Sequence, residues 1–197
     1  MLRTTKAMQK QRCPWVNDNP LMIAYHDNEW GKPIHDDKTL FEFLILDAFQ
    51  AGLSWNTIIN KRENFKKAFD NFDANKISNY TQTDKDRLMQ DAGIIRNRLK
   101  IDSAILNAKG FLKIKEEFKT FDNYIWQFTH HKTINNQVKT IKDYQSKSPQ
   151  SDAMSKDLLK RGFKFVGSTI CYAFMQASGM VNDHTVDCFR KNTYPSN

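Results

Sequence analysis

Cysteine is scarce: Cys13, Cys171 and Cys188 are the only three in 197 residues. An odd number at unpatterned spacing excludes the disulfide framework of a small secreted domain. Long apolar runs are missing too. No stretch approaches the ~18 uninterrupted apolar residues of a membrane-spanning helix, so no membrane partner is expected. The opening MLRTTKAMQKQR is basic but lacks the apolar centre of a secretory signal. The seven glycines form no phosphate-cradling loop of the nucleotide-binding kind, and there are no internal repeats. The expectation is a soluble, cytoplasmic monomer, long enough to bury a sizeable core without staples.

Acid is the minority charge. Thirty Lys and Arg against 22 Asp and Glu leave a net charge of +8 and a pI near 9.3. That balance favours a polyanionic partner. Aromatic residues make up 12% of the chain, several of them among polar neighbours, which suits nucleic-acid binding but also fits an ordinary basic protein. Residues 1–11, with Arg3, Lys6 and Lys10 and no acid, read as a flexible basic tail.

Apolar periodicity predicts helices almost throughout. Pro20 opens a short one through Tyr25. Leu40, Phe41, Leu44, Ile45, Ala48 and Phe49 recur at helical spacing until Gly52. Ser54 caps a helix expected to reach Phe69, with Lys61, Arg62, Lys66 and Lys67 on its outer face. Thr83 and Asp86 mark a start that ends at Gly93, and the segment GIIRNR leads into a long helical stretch. A short helix covers 122–128, and 130–150 is polar and irregular. Ser151 begins a helix stopped by Gly162, and 167–178 reads as a buried helix. Strand signals are few, so the fold class is all-α.

Four side chains stand out as ligands. Cys13 and His26 lie near one end, His184 and Cys188 near the other, the latter pair spaced i, i+4. Two Cys and two His fill a tetrahedral zinc shell, which leaves no position for water and makes such an ion structural. Buried cysteines that only pack are the alternative. The segment Gly93 to Arg98 joins two helices. The free amides and dipole of the second helix, with Arg96, Arg98 and Lys100, can bind phosphate, or the segment is a plain turn. Tyr25 and Trp30 in YHDNEWG can line a pocket for a planar, electron-poor ring, or pack into the core. Asp47 sits among Leu44, Ile45, Leu46, Ala48 and Phe49, where a carboxylate is costly to bury and therefore a functional candidate. Leu53, on the glycine-containing turn that follows, can wedge between base steps.

Several segments together resemble the DNA-3-methyladenine glycosylase I family, bacterial alkylation-repair enzymes of the helix-hairpin-helix superfamily. These are RCPW (12–15), AYHDNEWG (24–31), FQAGLSW (49–55), KRENF (61–65), DAGIIRN (91–97), KRGFKFVGSTICY (160–172) and MVNDH (180–184). The resemblance runs over 12–189, one glycosylase unit with a hairpin lobe and a zinc-stapled terminal lobe, and leaves 190–197 as a C-terminal tail. It implies base-excision repair: hydrolysis of the N-glycosidic bond of 3-methyladenine in double-stranded DNA, with the free base as product. It also implies one structural zinc on Cys13, His26, His184 and Cys188. The base pocket would be Trp15, Met22, Tyr25, Trp30, Asp47 and Trp55. Leu53, Gly93, Ile95, Arg96 and Arg98 would contact DNA. Two positions depart from the family pattern. Asp47 replaces a base-reading Glu, and Met22 replaces a Tyr. A non-catalytic or altered-specificity binder of damaged DNA is therefore the alternative reading.

Overall fold

The structure is a computed structural model, described here for residues 10–193. Ten helices carry these residues: α1 (Pro20–Asn28), α2 (Asp37–Gln50), α3 (Trp55–Ile59), α4 (Arg62–Ala68), α5 (Ala74–Ser78), α6 (Gln82–Gln90), α7 (Arg98–Phe118), α8 (Phe121–Trp126), α9 (Pro149–Lys160) and α10 (Ser168–Ala177). Two-residue strands, β1 (Ile134–Asn135) and β2 (Val181–Asn182), pair in parallel. The all-α expectation holds. No described helix is long and apolar enough to cross a membrane.

Helix α2 is the centre. Its sequence is apolar nearly all round, so it is buried nearly all round, from Leu40 to Phe49 with only Glu42 partly excepted. It packs on α3, α7, α8 and α10. Phe41, Phe43 and Phe49 are fully enclosed, and each such side chain contributes about 1.5–3 kcal/mol by leaving water. Asp36 caps the helix by accepting from the Thr39 amide at 2.8 Å. This placement matters for chemistry, because Asp47 rides on the same helix into the interior.

Several boundaries differ from the sequence expectation. The helix after Ser54 breaks at Asn60–Lys61, where the Asn60 side-chain amide takes the Asn56 carbonyl at 2.6 Å. Its expected basic outer face is partly turned inward. Lys61 donates to the carbonyls of Ala92 (3.0 Å) and Gly93 (3.3 Å), and Arg62 bridges Glu29 and Glu42 at 2.7 Å each. Helix α6 is capped two residues earlier than Thr83, at Thr81, because the Asp84 carboxylate accepts from both the amide and the hydroxyl of Thr81. Ser148 caps α9 with Pro149 in its first turn, three residues before Ser151.

The tails also need correcting. Residues 1–9 and 194–197 lie outside the described residues. Gln11 already belongs to the fold, since its carbonyl accepts from the Phe189 amide at 3.0 Å. Arg190 and Lys191 are buried rather than part of a tail, at 8% and 7% exposure. The Lys191 ammonium fills a polar niche by donating to the carbonyls of Asn136 and Asn182.

Candidate active site and metal centre

The cluster Cys13, His26, His184 and Cys188 assembles as the ligand chemistry suggests. The four ligand atoms all lie within 4.8 Å of one another, and all four residues are buried. Cys13 Sγ is 3.4 Å from His184 Nδ1, and Cys188 Sγ is 3.4 Å from His26 Nε2 and 3.5 Å from His184 Nδ1. A tetrahedral ion with ordinary metal–sulfur and metal–nitrogen bonds has S···N edges of about 3.6 Å. The donor set therefore fits a metal ion with no ligand position open to water.

Neighbouring groups orient each ligand. His26 Nδ1 faces the Asp27 carboxylate at 2.8 Å, which leaves Nε2 for the cluster, and Arg12 holds Asp27 through two contacts of 2.8 Å. His184 does the reverse. Its Nε2 meets the Trp30 carbonyl at 3.1 Å and its Nδ1 faces the sulfurs. The Arg12 guanidinium, with His26 second to it, holds the Asp27 carboxyl down to about 2. Gly31 stands directly against this cluster at φ +74°, where a Cβ would lie 2.9 Å from His184 Nε2.

Next to the cluster is a cavity of about 500 Å³. It is lined by all six expected pocket residues: Trp15, Met22, Tyr25, Trp30, Asp47 and Trp55. Trp15 meets Trp30 edge-on at 4.9 Å, and Tyr25 lies against Trp55 at 5.0 Å. The Cys₂His₂ cluster buttresses these walls, since the His26 ring is 5.4 Å from Trp15 and the His184 ring 4.7 Å from Trp30. Asp47 is 2% exposed and is the sole carboxylate lining the cavity among the described residues. Its Oδ2 has no partner, and neither do the indole nitrogens of Trp15 and Trp55. Burial pushes the Asp47 carboxyl well above the usual carboxylate range. The site is thus an aromatic box with three unpartnered donors, the indoles of Trp15 and Trp55 and the Tyr144 hydroxyl, and one desolvated carboxyl.

Helices α6 and α7 form a hairpin around Asp91–Asn97. The Gly93 amide donates to Asp91 at 2.7 Å, and a Cβ at Gly93 would sit 3.1 Å from Asn64, so the turn packs too closely for a larger residue. Asn97 caps α7 by accepting from the Lys100 amide at 3.1 Å. The other first-turn amides of α7 have no acceptor within the helix. Arg96 and Arg98 are exposed, the latter 3.4 Å from an exposed Asp86, a pairing that costs little to give up. Ile95 packs partly against the core. Lys100 does not join this basic edge. It is 6% exposed and donates inward to the carbonyls of Phe49 (2.8 Å) and Ala51 (2.6 Å).

Residues 15–191 match the model of the methyladenine glycosylase family. The chain belongs to this family. It is 49% identical to DNA-3-methyladenine glycosylase 1 of Escherichia coli (strain K12), over 95% of this chain and 98% of that protein. It is 47% identical to DNA-3-methyladenine glycosylase of Haemophilus influenzae, over 90% of this chain and 96% of that one. Among solved structures, a tyrosine-to-phenylalanine variant of 3-methyladenine DNA glycosylase I in complex with 3-methyladenine is similar at a TM-score of 0.90. That chain is 33% identical, and the likeness covers 94% of this chain and 99% of that one.

In this methyladenine glycosylase family member, sequence reasoning picked out the four residues of the Cys₂His₂ cluster and the aromatic walls but missed one side of the pocket. Ile141, Tyr144 and Gln145 line the cavity, as do Asn17, Asn56 and Gln176. The first three come from the polar stretch 130–150. Its one signal was an isoleucine and a tyrosine among polar residues. Leu53 does not line the cavity; it is 40% exposed on the loop whose next residues, Ser54 and Trp55, do.

Proposed function

We infer that this chain is a monofunctional DNA glycosylase of base-excision repair, hydrolysing the N-glycosidic bond of 3-methyladenine in alkylated duplex DNA. The products are the free base and an abasic site. The observation that carries this reading is the aromatic box with its single buried, unpartnered carboxyl. Methylation at N3 makes the adenine cationic while it is attached to the sugar. The departing base leaves neutral, so the reaction needs no proton donor at the leaving group. What it needs is a site that accepts a planar cation out of the stack. Extrusion costs a few kcal/mol, and this weakly paired, damaged base offsets it better than a normal one. Flat aromatic faces stabilise a cation by about 0.5–2 kcal/mol. Asp47 would accept from the base and, once ionised, oppose its charge. The indole N–H groups of Trp15 and Trp55 would donate to it. Water then attacks the sugar carbon. No lysine lines the cavity among the described residues, which favours hydrolysis over a lyase step.

Asp47 reaches about 1.5 Å less far than the Glu of the family pattern. A direct hydrogen bond does not survive such a stretch, so a bound base must sit deeper or a water must bridge. We propose further that the Cys₂His₂ cluster holds one zinc ion as a staple. Two thiolates and two imidazoles are the donor set zinc prefers, and the closed shell assigns the ion to folding rather than chemistry. The hairpin amides with Arg96 and Arg98 would grip a phosphate, and Leu53 would fill the gap left in the stack.

The test is direct. Alkylated duplex DNA is incubated with the protein and the released bases are separated by chromatography. Release of 3-methyladenine is expected. Tight binding to the same DNA without release would make the chain a damage-recognition protein instead.

A further inference from the structure

Eight large apolar side chains are substantially exposed among the described residues: Leu21, Leu53, Leu99, Leu106, Ile141, Leu159, Val186 and Phe189. Ile141, 59% exposed, is the one of them that also lines the cavity. It stands on a turn that is firmly built. The Asp143 carboxylate accepts from the amides of Lys139 (3.0 Å) and Thr140 (2.7 Å) and from the Thr140 hydroxyl (3.1 Å). Three bonds to one oxygen close the turn and leave Ile141 at its exposed tip. The base of the turn is anchored where Val138 bridges to Thr185, and the Val138 carbonyl accepts from the Val186 amide at 2.9 Å. Both partners lie between the metal ligands His184 and Cys188. On the other side, Tyr144 packs against the core and lines the cavity. Lys139, Lys142 and Lys147 surround Ile141 in sequence, are exposed, and make no ion pair among the described residues.

An apolar tip at the mouth of a base pocket, on a segment that also carries three exposed lysines, matches the chemistry of a duplex opened at one nucleotide. Bases beside the extruded position lose a stacking partner and present an apolar face. Phosphates of the same strand pass close by. We propose that segment 139–147 is a second DNA-contacting element, separate from the hairpin and the Leu53 loop, in which Ile141 packs against the exposed stack and the three lysines neutralise phosphates. This rests on the reading of the chain as a DNA glycosylase. Because both loops border one cavity, the extruded nucleotide would enter between two apolar contacts rather than past one.

The experiment measures binding of the full chain to a duplex carrying a stable abasic analogue, across a range of salt. Free 3-methyladenine is titrated in parallel by pocket tryptophan fluorescence. Ile141→Ala is expected to weaken duplex binding about tenfold, with a change of less than about threefold for the free base and no change in melting temperature. Ile141→Leu should restore most of the loss. Replacing Lys139, Lys142 and Lys147 together by Ala should lower the slope of log K against log salt by about 0.9 for each phosphate no longer neutralised. Duplex and free-base affinities falling in equal proportion would make Ile141 a pocket wall and overturn the proposal. So would an unchanged salt slope in the lysine variant. A wild-type protein that releases the base while all loop variants bind DNA as it does overturns this element alone. One that binds no duplex overturns the glycosylase reading as well.

Discussion

The ammonium of Lys100 lies 2.6 Å from the carbonyl oxygen of Ala51. With the Phe49 carbonyl at 2.8 Å, it ties the first turn of α7 to the C-terminus of α2. A cation at that end of a helix meets its negative pole and its unpaired carbonyls. The hairpin and the loop carrying Leu53 are therefore fastened by one buried side chain.

Replacing Lys100 by Met keeps the volume and removes the donors. Two carbonyls would lose a charged partner, and the expected destabilisation is about 1–3 kcal/mol in denaturant unfolding. Base release from duplex should suffer more than free-base affinity, because the loop rather than the box is loosened. Unchanged stability would mean that water replaces the ammonium at no cost.

Metal removal addresses the cluster. Elemental analysis is expected to find about one zinc per chain, and a strong chelator should lower the melting temperature, since ion binding contributes directly to folding. His184→Ala should reproduce that loss. Free-base affinity should fall along with it, because the His184 ring buttresses Trp30. Metal-free protein that melts as before would reduce the cluster to buried packing.

Asp47 sets a pH dependence whose sign is fixed by its burial. Its folded pKa lies well above the unfolded value near 3.8. Over that interval Asp47 binds more protons in the folded state, so its own contribution to stability is highest below about pH 4 and falls as pH rises towards the folded pKa. Asp47→Asn should abolish this decline and stabilise the empty protein at neutral pH. It should also weaken binding of cationic bases, which the wild type should bind with proton release. Calorimetry in buffers of different ionisation enthalpy reads that proton. Equal base affinity in wild type and Asp47→Asn would remove Asp47 from recognition.

Arg96 offers a cleaner separation of affinity from selectivity. Arg96→Ala should weaken binding to every duplex about equally and lower the salt slope by about one. A loss confined to damaged DNA would place Arg96 in base reading instead.

The sequence disclosed the site best where chemistry restricts residue type. Cys and His at i, i+4 have few common uses besides metal, and a carboxylate inside LILDAFQ must be either exposed or special. Tertiary proximity was invisible. Lys100 follows two arginines and reads as a third phosphate ligand; only the arrival of the α2 C-terminus explains its inward turn. Lys61 and Arg62 misled for the same reason, since the carbonyls and carboxylates they serve come from other segments. The break at Asn60 depends on a side chain competing with the backbone, which periodicity cannot register. The Ile141 turn was hidden because polar composition reads as loop and says nothing about what the loop faces.

The meeting of Cys13 and His26 with His184 and Cys188 has a consequence for biosynthesis. A growing chain can close the α6–α7 hairpin before His184 and Cys188 are made, whereas α2 stays open on the side that α10 covers. Trp30, however, stays without the edge-on support of the His184 ring until that residue arrives. A chain interrupted before that point would carry the α6–α7 hairpin but no finished base box. Completion of the base box thereby waits for residues 184–188.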